Sequence, residues 1–265
     1  MNLPRTRLPA NYQAAPDLLG GRVILVTGAG QGLGKVAARA FARHGATVIL
    51  HGRNVAKLEK TYDEIIADGF LQPAILPLDF AKTTQTELVA FGQSIHATLG
   101  RLDGIFHAAN HFVGTMPMAS HDLDCWQLHA KVNLAVPAAL CKACWPLLTR
   151  APAASIVFLT ESHADVPVAY WGPFAVTRNA LAALVAVWTD ELAADANLRI
   201  NLCLPGPVNS PMRSKSHPGE LASSLPAAES LAQHFLYMIG PDAAHMRGQV
   251  LDCRQAISAL PSGKG

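Results

Sequence analysis

Short apolar segments alternate with helix-forming segments along most of this 265-residue chain, and this alternation limits the possible folds more than any other feature. Each apolar segment is nearly free of charge and bounded by Gly, Pro, Asp or Asn, which is typical of strands buried on both faces of a parallel sheet. The segments are Val23–Val26, Val48–Leu50, Ala74–Leu78, Ile105–Phe106, Ser155–Leu159, Arg199–Leu204 and Gln249–Leu251. The pattern predicts a single-domain, doubly wound α/β fold, with about seven parallel strands and helices on both faces of the sheet.

The segments between these strands have the spacing of amphipathic helices. Their apolar stripes are Leu33, Val36, Ala37, Ala40 and Phe41, then Val55, Leu58, Tyr62, Ile65 and Ile66, and finally Leu231, Phe235, Met238 and Ile239. Gly45, Gly69 and Gly100 follow helical segments, where a left-handed cap is expected. We predict an N-terminal arm over residues 1–17, the α/β domain over 18–254 and a C-terminal tail over 255–265.

Composition excludes several classes of protein. Twenty-one Lys and Arg nearly balance nineteen Asp and Glu, and no basic block stands out, so we expect no nucleic-acid partner. The apolar stretch Ala180–Trp188 is about half of a membrane span, and the Pro-rich N-terminus does not resemble a signal peptide. Five scattered cysteines suit a reducing compartment, so we predict a cytoplasmic protein without a membrane anchor. Cys141 and Cys144 lie in a helical segment, which favours buried thiols over a metal site.

Two predicted helices are apolar around most of their circumference. They span residues 122–149 and 174–192. Such helices are covered either by the rest of the chain or by another subunit. We favour a subunit interface, and hence a homodimer or a homotetramer.

A glycine-rich turn, Thr27-Gly28-Ala29-Gly30-Gln31-Gly32-Leu33-Gly34, joins the first of these apolar segments to the first amphipathic helix. Glycines permit a tight turn there and let backbone N–H groups reach a pyrophosphate at the helix N-terminus. Because the turn stands between a predicted strand and a predicted helix, it indicates a dinucleotide site.

The next strand ends in His51-Gly52-Arg53 and carries no acidic residue. An Asp or Glu at this place would bind the ribose hydroxyls of NAD(H), whereas Arg53 can bind a 2′-phosphate. The alternative is that Arg53 is an ordinary exposed residue before the next helix. The sequence favours NADP(H) over NAD(H).

These motifs resemble the short-chain dehydrogenase/reductase family, over about residues 18–254. The turn resembles the family's T-G-x-x-x-G-x-G, Asp79 its acidic residue after the third strand, Asn133 its catalytic asparagine, and Leu204–Met212 its P-G motif with the nicotinamide loop. The resemblance implies a Rossmann fold and oxidoreductase ancestry. The predicted cofactor-binding residues are Thr27, Gly28, Gln31, Gly32, Leu33, Gly34, Arg53, Asn54, Asp79, Phe80, Ala108, Arg178, Pro205, Gly206, Val208 and Ser210. The predicted substrate pocket comprises Phe112, Met116, His163, Tyr170 and Met212.

The catalytic positions depart from the family pattern. The family's Tyr-x-x-x-Lys pair falls on Phe174 and Arg178, and its serine, thirteen residues earlier, falls on Glu161. Its N-N-A-G segment is here His107-Ala108-Ala109-Asn110. Tyr170 cannot replace the tyrosine, because the residue four positions later is Phe174 and not lysine. The family positions taken as the catalytic set are therefore Asn133, Glu161, Phe174 and Arg178.

Each departure has a chemical consequence. Phe174 has no exchangeable proton, and a general acid is typically worth about 10²–10⁴-fold in rate. Ionised Glu161 would repel an oxyanion, and we expect it to form an ion pair with Arg178. Three alternatives follow: an NADP(H)-binding protein with little ordinary carbonyl or alcohol turnover, an active reductase with Glu161 or His163 as a new acid, or an interaction scaffold. Residues 213–230 are either a substrate lid, as in the family, or a mobile surface loop.

Overall fold

The computed structural model of the protein describes residues 3–192 and 197–254. Within them lies one parallel sheet of eight strands in the order β1-β8-β7-β6-β5-β2-β3-β4. The strands are β1 Arg5–Thr6, β2 Val23–Thr27, β3 Thr47–Gly52, β4 Ala74–Pro77, β5 Gly104–His107, β6 Ala154–Leu159, β7 Leu198–Leu204 and β8 Val250–Asp252. The predicted α/β fold is confirmed. The strand count differs slightly from seven, because residues of the predicted N-terminal arm pair with β8 as an edge strand.

Helices cover both faces of the sheet. They are α1 Gly32–Arg43, α2 Val55–Ala67, α3 Gln85–Leu99, α4 Leu123–Ala130, α5 Val136–Leu148, α6 Ser162–Asp165, α7 Gly172–Glu191, α8 Pro211–Ser216 and α9 Ala232–Ile239. One core cluster joins the sheet to α1, α2 and α9, and the other joins it to α3, α5 and α7. Successive residues of β2 enter opposite clusters, as the two-residue period of a strand requires.

The glycines that were predicted to follow helices have the expected backbone conformation. Gly45, Gly69 and Gly100 all have positive φ values, and Gly100 is the left-handed C-cap of α3. The predicted helix over residues 122–149 consists of α4, a π-helical turn at Lys131–Ala135 and α5. Among the described residues, none of the helices combines the length and the hydrophobicity that crossing a membrane requires. The predicted tail over 255–265 lies outside the described residues.

The chain order of the strands places a crevice above the centre of the sheet. β2 has β3 on one side and β5 on the other, so the chain runs outward to β4 and then crosses back. In sheets of this kind, ligands bind outside the carboxyl ends of the strands, where the order reverses. The turns after β2, β3, β5, β6 and β7 all reach this crevice.

Candidate functional site

The crevice is a cleft of about 640 Å³ that collects nearly all of the predicted cofactor residues. It is lined by Gly28, Gln31, Gly32, Leu33, Gly34, Arg53, Asn54, Asp79, Phe80, Ala108, Arg178, Pro205, Gly206, Val208 and Ser210. Thr27 lies beneath this surface, where its Oγ1 accepts a hydrogen bond from the Ala109 N–H at 3.1 Å. That bond ties the end of β2 to the turn after β5.

The glycine-rich turn forms a cradle that side chains would fill. Gly28 has a φ of +71°, and a Cβ there would lie 2.9 Å from the backbone nitrogen of Ala109. A Cβ on Gly34 would lie 2.7 Å from the carbonyl carbon of Gly28, and one on Gly30 would lie 2.9 Å from the Cβ of Lys57. Only glycine therefore fits at these places without moving the turn.

The N-terminus of α1 opens into this cradle. Its N-cap residue, Gln31, makes no side-chain capping bond, and the first turn of α1 holds no acidic residue. The backbone N–H groups of a first helical turn need acceptors, and the helix dipole favours a negative one. The arrangement can therefore bind a phosphate group.

Residues after β3 and β4 form the second end of the cleft. Arg53 is exposed and, among the described residues, its guanidinium has no hydrogen-bond or ion-pair partner. The Asn54 side chain caps α2 by accepting from the Lys57 N–H at 3.0 Å. Asp79 accepts from the Ala81 N–H at 3.0 Å, and Phe80 is buried. Arg53 is thus the cation of this end that stays open to a ligand.

Phe174 lies in an apolar cluster at the wall of the cleft. It is 2% exposed and packs with Phe112, Trp171, Ala175 and Met212. Its ring centroid is 5.0 Å from that of Phe112. The side chain at this position can support packing but cannot exchange a proton.

Arg178 is a buried cation with backbone partners. Its Nη1 donates to the Leu159 carbonyl and its Nη2 to the Ala109 carbonyl, each at 3.0 Å. Burial lowers the pKa of Arg178 to about 10, which the charge of Glu161 partly opposes. The guanidinium is therefore still charged at neutral pH, and it links the turn after β5 to the end of β6.

The expected ion pair between Glu161 and Arg178 is wrong for the described structure. The Oε1 of Glu161 pairs instead with His163 Nδ1 at 3.2 Å. The two terminal nitrogens of Arg178 donate to carbonyl groups instead, and among the described residues its guanidinium makes no ion pair within 4 Å. Glu161 lines the cleft, whereas the imidazole of His163 stacks on Trp171 with centroids 4.0 Å apart.

Asn133 is hydrogen-bonded to the loop after β5. It lies in the π-helical turn, a distortion that is frequent at functional sites. Its Oδ1 accepts from the His111 N–H at 2.7 Å, and its Nδ2 donates to the His111 carbonyl at 3.0 Å. Asn133 thereby fixes the backbone of His111, a residue of the cleft lining.

The predicted substrate residues divide into two groups. Phe112 and Met212 line the cleft. Met116, His163 and Tyr170 lie outside its described wall, and Tyr170 is 60% exposed with a φ of +74°. The segment 213–230 includes the end of α8, and Arg213 of that helix donates two side-chain hydrogen bonds to Glu220.

Comparison with known proteins decides the family. A model described as short chain dehydrogenase matches residues 22–221. A protein of Escherichia coli K12, described as the uncharacterized oxidoreductase YciK, is 34% identical over 244 residues, which cover 92% of this chain and 96% of that protein. The chain belongs to the short-chain dehydrogenase family of oxidoreductases.

Solved structures of short-chain dehydrogenases agree closely with this fold. One from Pseudomonas syringae has 36% sequence identity and a TM-score of 0.88, covering 92% of this chain and 98% of the other. One from Escherichia coli CFT073, solved in complex with NADPH, has 34% identity and a TM-score of 0.87, covering 91% and 99%.

The lining of the cleft also contains residues that the predicted cofactor and substrate sets missed. Gly30, Lys57, His111, Arg213 and Lys215 line the cleft as well. Lys57 follows Arg53 by one helical turn, which is a signal that could have been used. Gly30 lies within the glycine-rich turn already singled out, whereas His111, Arg213 and Lys215 lie on loops whose approach to the cleft cannot be found from spacing.

The buried thiols of this short-chain dehydrogenase lie away from the cleft. Cys141 and Cys144 are buried and form no disulfide, as predicted, and burial raises the pKa of Cys144 to about 12. Among the described residues, no group of three His, Cys, Asp or Glu side chains could hold a metal ion.

Proposed function

We propose that this short-chain dehydrogenase binds NADP(H) in the described cleft and prefers it to NAD(H). The observation that carries the proposal is Arg53, an unpaired and exposed guanidinium at the carboxyl end of β3, where no acidic residue stands. A guanidinium can donate two parallel hydrogen bonds to a 2′-phosphate. A carboxylate at the same place would repel that phosphate. The NADPH complex of the related Escherichia coli CFT073 protein supports the proposal.

The residues of the cleft fit the rest of this cofactor. The glycine cradle leaves space that a Cβ would fill, and the uncapped N-terminus of α1 offers N–H donors to the pyrophosphate. Asp79 and Phe80 bound the adenosine end, and the loop from Pro205 to Ser210 bounds the other. These assignments are the parts of the proposal that substitution can test one by one.

We further propose that ordinary carbonyl or alcohol turnover is weak. When bound, NADP(H) supplies or accepts a hydride, and the protein must move the accompanying proton. Phe174 has no proton to give, and Arg178 is held by two carbonyl groups in a buried position. The loss of one general acid typically costs about 10²–10⁴-fold.

A restored variant tests this loss. E161S/F174Y/R178K places the family's serine, tyrosine and lysine in one chain, and we expect a gain of carbonyl-reductase activity of about 10²-fold or more, measured as NADPH oxidation over a carbonyl panel. A folded triple variant that binds NADPH but gains no activity would show that more than these three residues was lost.

A second candidate function is supported by the Glu161–His163 pair. Glu161 lines the cleft where the family has serine, and its contact with His163 at 3.2 Å could pass a proton to a ligand oxygen. Under this alternative, the unmodified protein oxidises NADPH with some member of the panel, and Glu161→Gln abolishes that rate while NADPH binding is retained. An active protein whose rate is unchanged in Glu161→Gln would refute it.

A further inference from the structure

Four charged side chains form a closed arrangement at the β1–β8 edge of the sheet. Arg5 of β1 is paired with Asp165 of α6 and, at 3.2 Å, with Asp252 of β8. Arg254, which follows β8, is paired with the same two carboxylates, at 3.2 Å to Asp165 and at 2.6 Å to Asp252. Each cation thus contacts both carboxylates. We call these four residues the ionic quartet.

The two carboxylates of the ionic quartet are largely covered. The side chains of Asp165 and Asp252 are 16% and 13% exposed, respectively. Hydrogen bonds from Arg254, with a further one from Arg5, lower the pKa of Asp252 to about 2, so this carboxylate is fully ionised at neutral pH. An isolated ion pair on a surface contributes little to stability, whereas several charges in one network can hold a segment in place.

The segment that the ionic quartet holds is α6, which needs contacts of this kind because it is only four residues long. A single helical turn is not stable on its own. Asn179 of α7 provides one contact, since its Nδ2 donates to the Ala164 carbonyl at 2.7 Å. The ionic quartet provides another, at Asp165, the last residue of α6.

α6 contacts Glu161 through both its backbone and a side chain. The Glu161 carbonyl accepts hydrogen bonds from the N–H groups of Ala164 and Asp165, each at 3.0 Å. The Oε1 of Glu161 pairs with Nδ1 of His163, which lies within α6, at 3.2 Å. Glu161 also belongs to the cleft lining. A single helical turn therefore connects the ionic quartet to the Glu161–His163 pair.

We propose that Arg5 and Arg254 are positioning residues for the cleft, although neither is among its described lining residues. Both hold Asp165 and hence α6, and α6 in turn fixes the Glu161–His163 pair. Because opposite charges make these contacts, salt weakens them. The role of the pair as a proton donor rests on the second candidate function, whereas the positioning itself requires no turnover.

Amide hydrogen exchange, followed by NMR in the cofactor-free protein, tests whether the ionic quartet holds α6. The N–H groups of Ala164 and Asp165 donate to the Glu161 carbonyl, and that of Val166 donates to the Ser162 carbonyl. In Arg5→Gln, we expect these three amides to exchange about two-fold to ten-fold faster than in the wild type, because two ion pairs are lost. Unchanged exchange would overturn the proposal.

Three comparisons assign the effect to charge. Arg7 is an exposed arginine close to β1 that makes no hydrogen bond or ion pair among the described residues, so Arg7→Gln should exchange like the wild type. Arg5→Lys keeps the charge and should restore part of the protection. NaCl at about 1 M should narrow the difference between the wild type and Arg5→Gln. An equal effect of Arg7→Gln, no restoration by Arg5→Lys, or a difference that salt does not change would overturn the assignment to the ionic quartet.

The imidazole of His163 reports on the pair itself. In protein labelled with 15N-histidine, its NMR signal is identified by its absence from His163→Gln. We expect Arg5→Gln to shift this signal, because the contact with Glu161 changes, and to leave the signal of His96, an exposed residue of α3, where it is. Faster exchange in α6 with an unchanged His163 signal would show a purely structural role and overturn the positioning of the pair.

Activity measurements separate this proposal from the proposed function. If the protein oxidises NADPH in a way that depends on Glu161, Arg5→Gln should lower kcat and leave KM for NADPH little changed. If no NADPH is oxidised but Arg5→Gln changes the exchange of α6 and the His163 signal, the second candidate function fails and the positioning stands. If the oxidation depends on Glu161 and Arg5→Gln changes neither the exchange nor kcat, only the positioning proposal fails.

Discussion

Replacing Arg178 with Lys, the residue that the family pattern has at this position, should destabilise this protein. The two guanidinium nitrogens of Arg178 donate to the carbonyls of Leu159 and Ala109, each at 3.0 Å, and the side chain is 4% exposed. Lysine carries a single ammonium in place of this fork and cannot reach both carbonyls in the same geometry, so at least one of the two hydrogen bonds is weakened or lost. A buried carbonyl left without a donor costs about 1–3 kcal/mol.

Burial adds to this cost. It lowers the pKa of Arg178 from its ordinary 12.5 to about 10, which corresponds to about 3 kcal/mol against the charged form. A lysine, with an ordinary pKa about 2 units lower than that of arginine, would still be mostly protonated at neutral pH under the same burial, so it would carry the same buried charge with fewer hydrogen bonds to compensate it. We therefore expect Arg178→Lys to lower the free energy of unfolding by about 1–3 kcal/mol.

Urea denaturation of the wild type and Arg178→Lys measures this difference directly. Each 1 kcal/mol should also lower Tm by about 2–4 °C in a chain of this size. The matched control is Arg53→Lys, at an exposed arginine without a protein partner among the described residues, and its effect should stay within about 0.5 kcal/mol. If Arg178→Lys were as stable as this control, the argument from the buried fork would be refuted.

Two other perturbations follow from burial and close packing. Burial lowers the pKa of both His51 and His107 to about 3, so the unfolded chain binds more protons below about pH 6.5 and the protein loses stability as pH falls. Each histidine should lower the free energy of unfolding by about 2 kcal/mol between pH 7 and pH 5. In urea titrations at the two pH values, His107→Gln should remove the contribution of His107. A free energy of unfolding that is the same at pH 7 and pH 5 would contradict this expectation. Gly34→Ala should cost about 1–3 kcal/mol and weaken NADPH binding at least about 10-fold, because its Cβ would lie 2.7 Å from a backbone carbon of the turn. Gly219→Ala, where nothing lies within 4 Å, is its control, and equal effects would contradict the argument.

The local sequence pattern was enough to predict every strand of the described sheet except β1. Seven predicted apolar runs correspond to β2–β8 within one or two residues. Strands buried on both faces are continuously apolar, and β4, at the edge of the sheet, is only partly buried but is apolar as well. The edge strand β1 escaped prediction, since Arg5 and Thr6 carry no apolar signal and are defined only by pairing with β8. The π-helical turn at Asn133 was equally invisible, because its residues continue the helical pattern.

The candidate site was predictable where one short segment builds it. The glycine turn and Arg53 each lie next to a predicted strand, so their positions followed from the chain order. The partners of Glu161 and Arg178 could not be found in this way. Arg178 reaches one carbonyl at the end of β6 and another in the turn after β5, and a sequence pattern does not show where backbone carbonyls lie. Charge complementarity alone therefore suggested an ion pair that the described structure does not contain.

The central claim is the preference of the cleft for a cofactor with a 2′-phosphate, and a parallel titration with NADPH and NADH tests it most directly. We expect NADPH to bind more tightly than NADH, and Arg53→Ala to weaken NADPH by about 10-fold to 100-fold while NADH is little affected. Arg43→Ala, at an exposed arginine at the far end of α1, should change neither affinity. Equal binding of both dinucleotides, unaffected by Arg53→Ala, would contradict the preference, and binding of neither would contradict the whole account of the cleft.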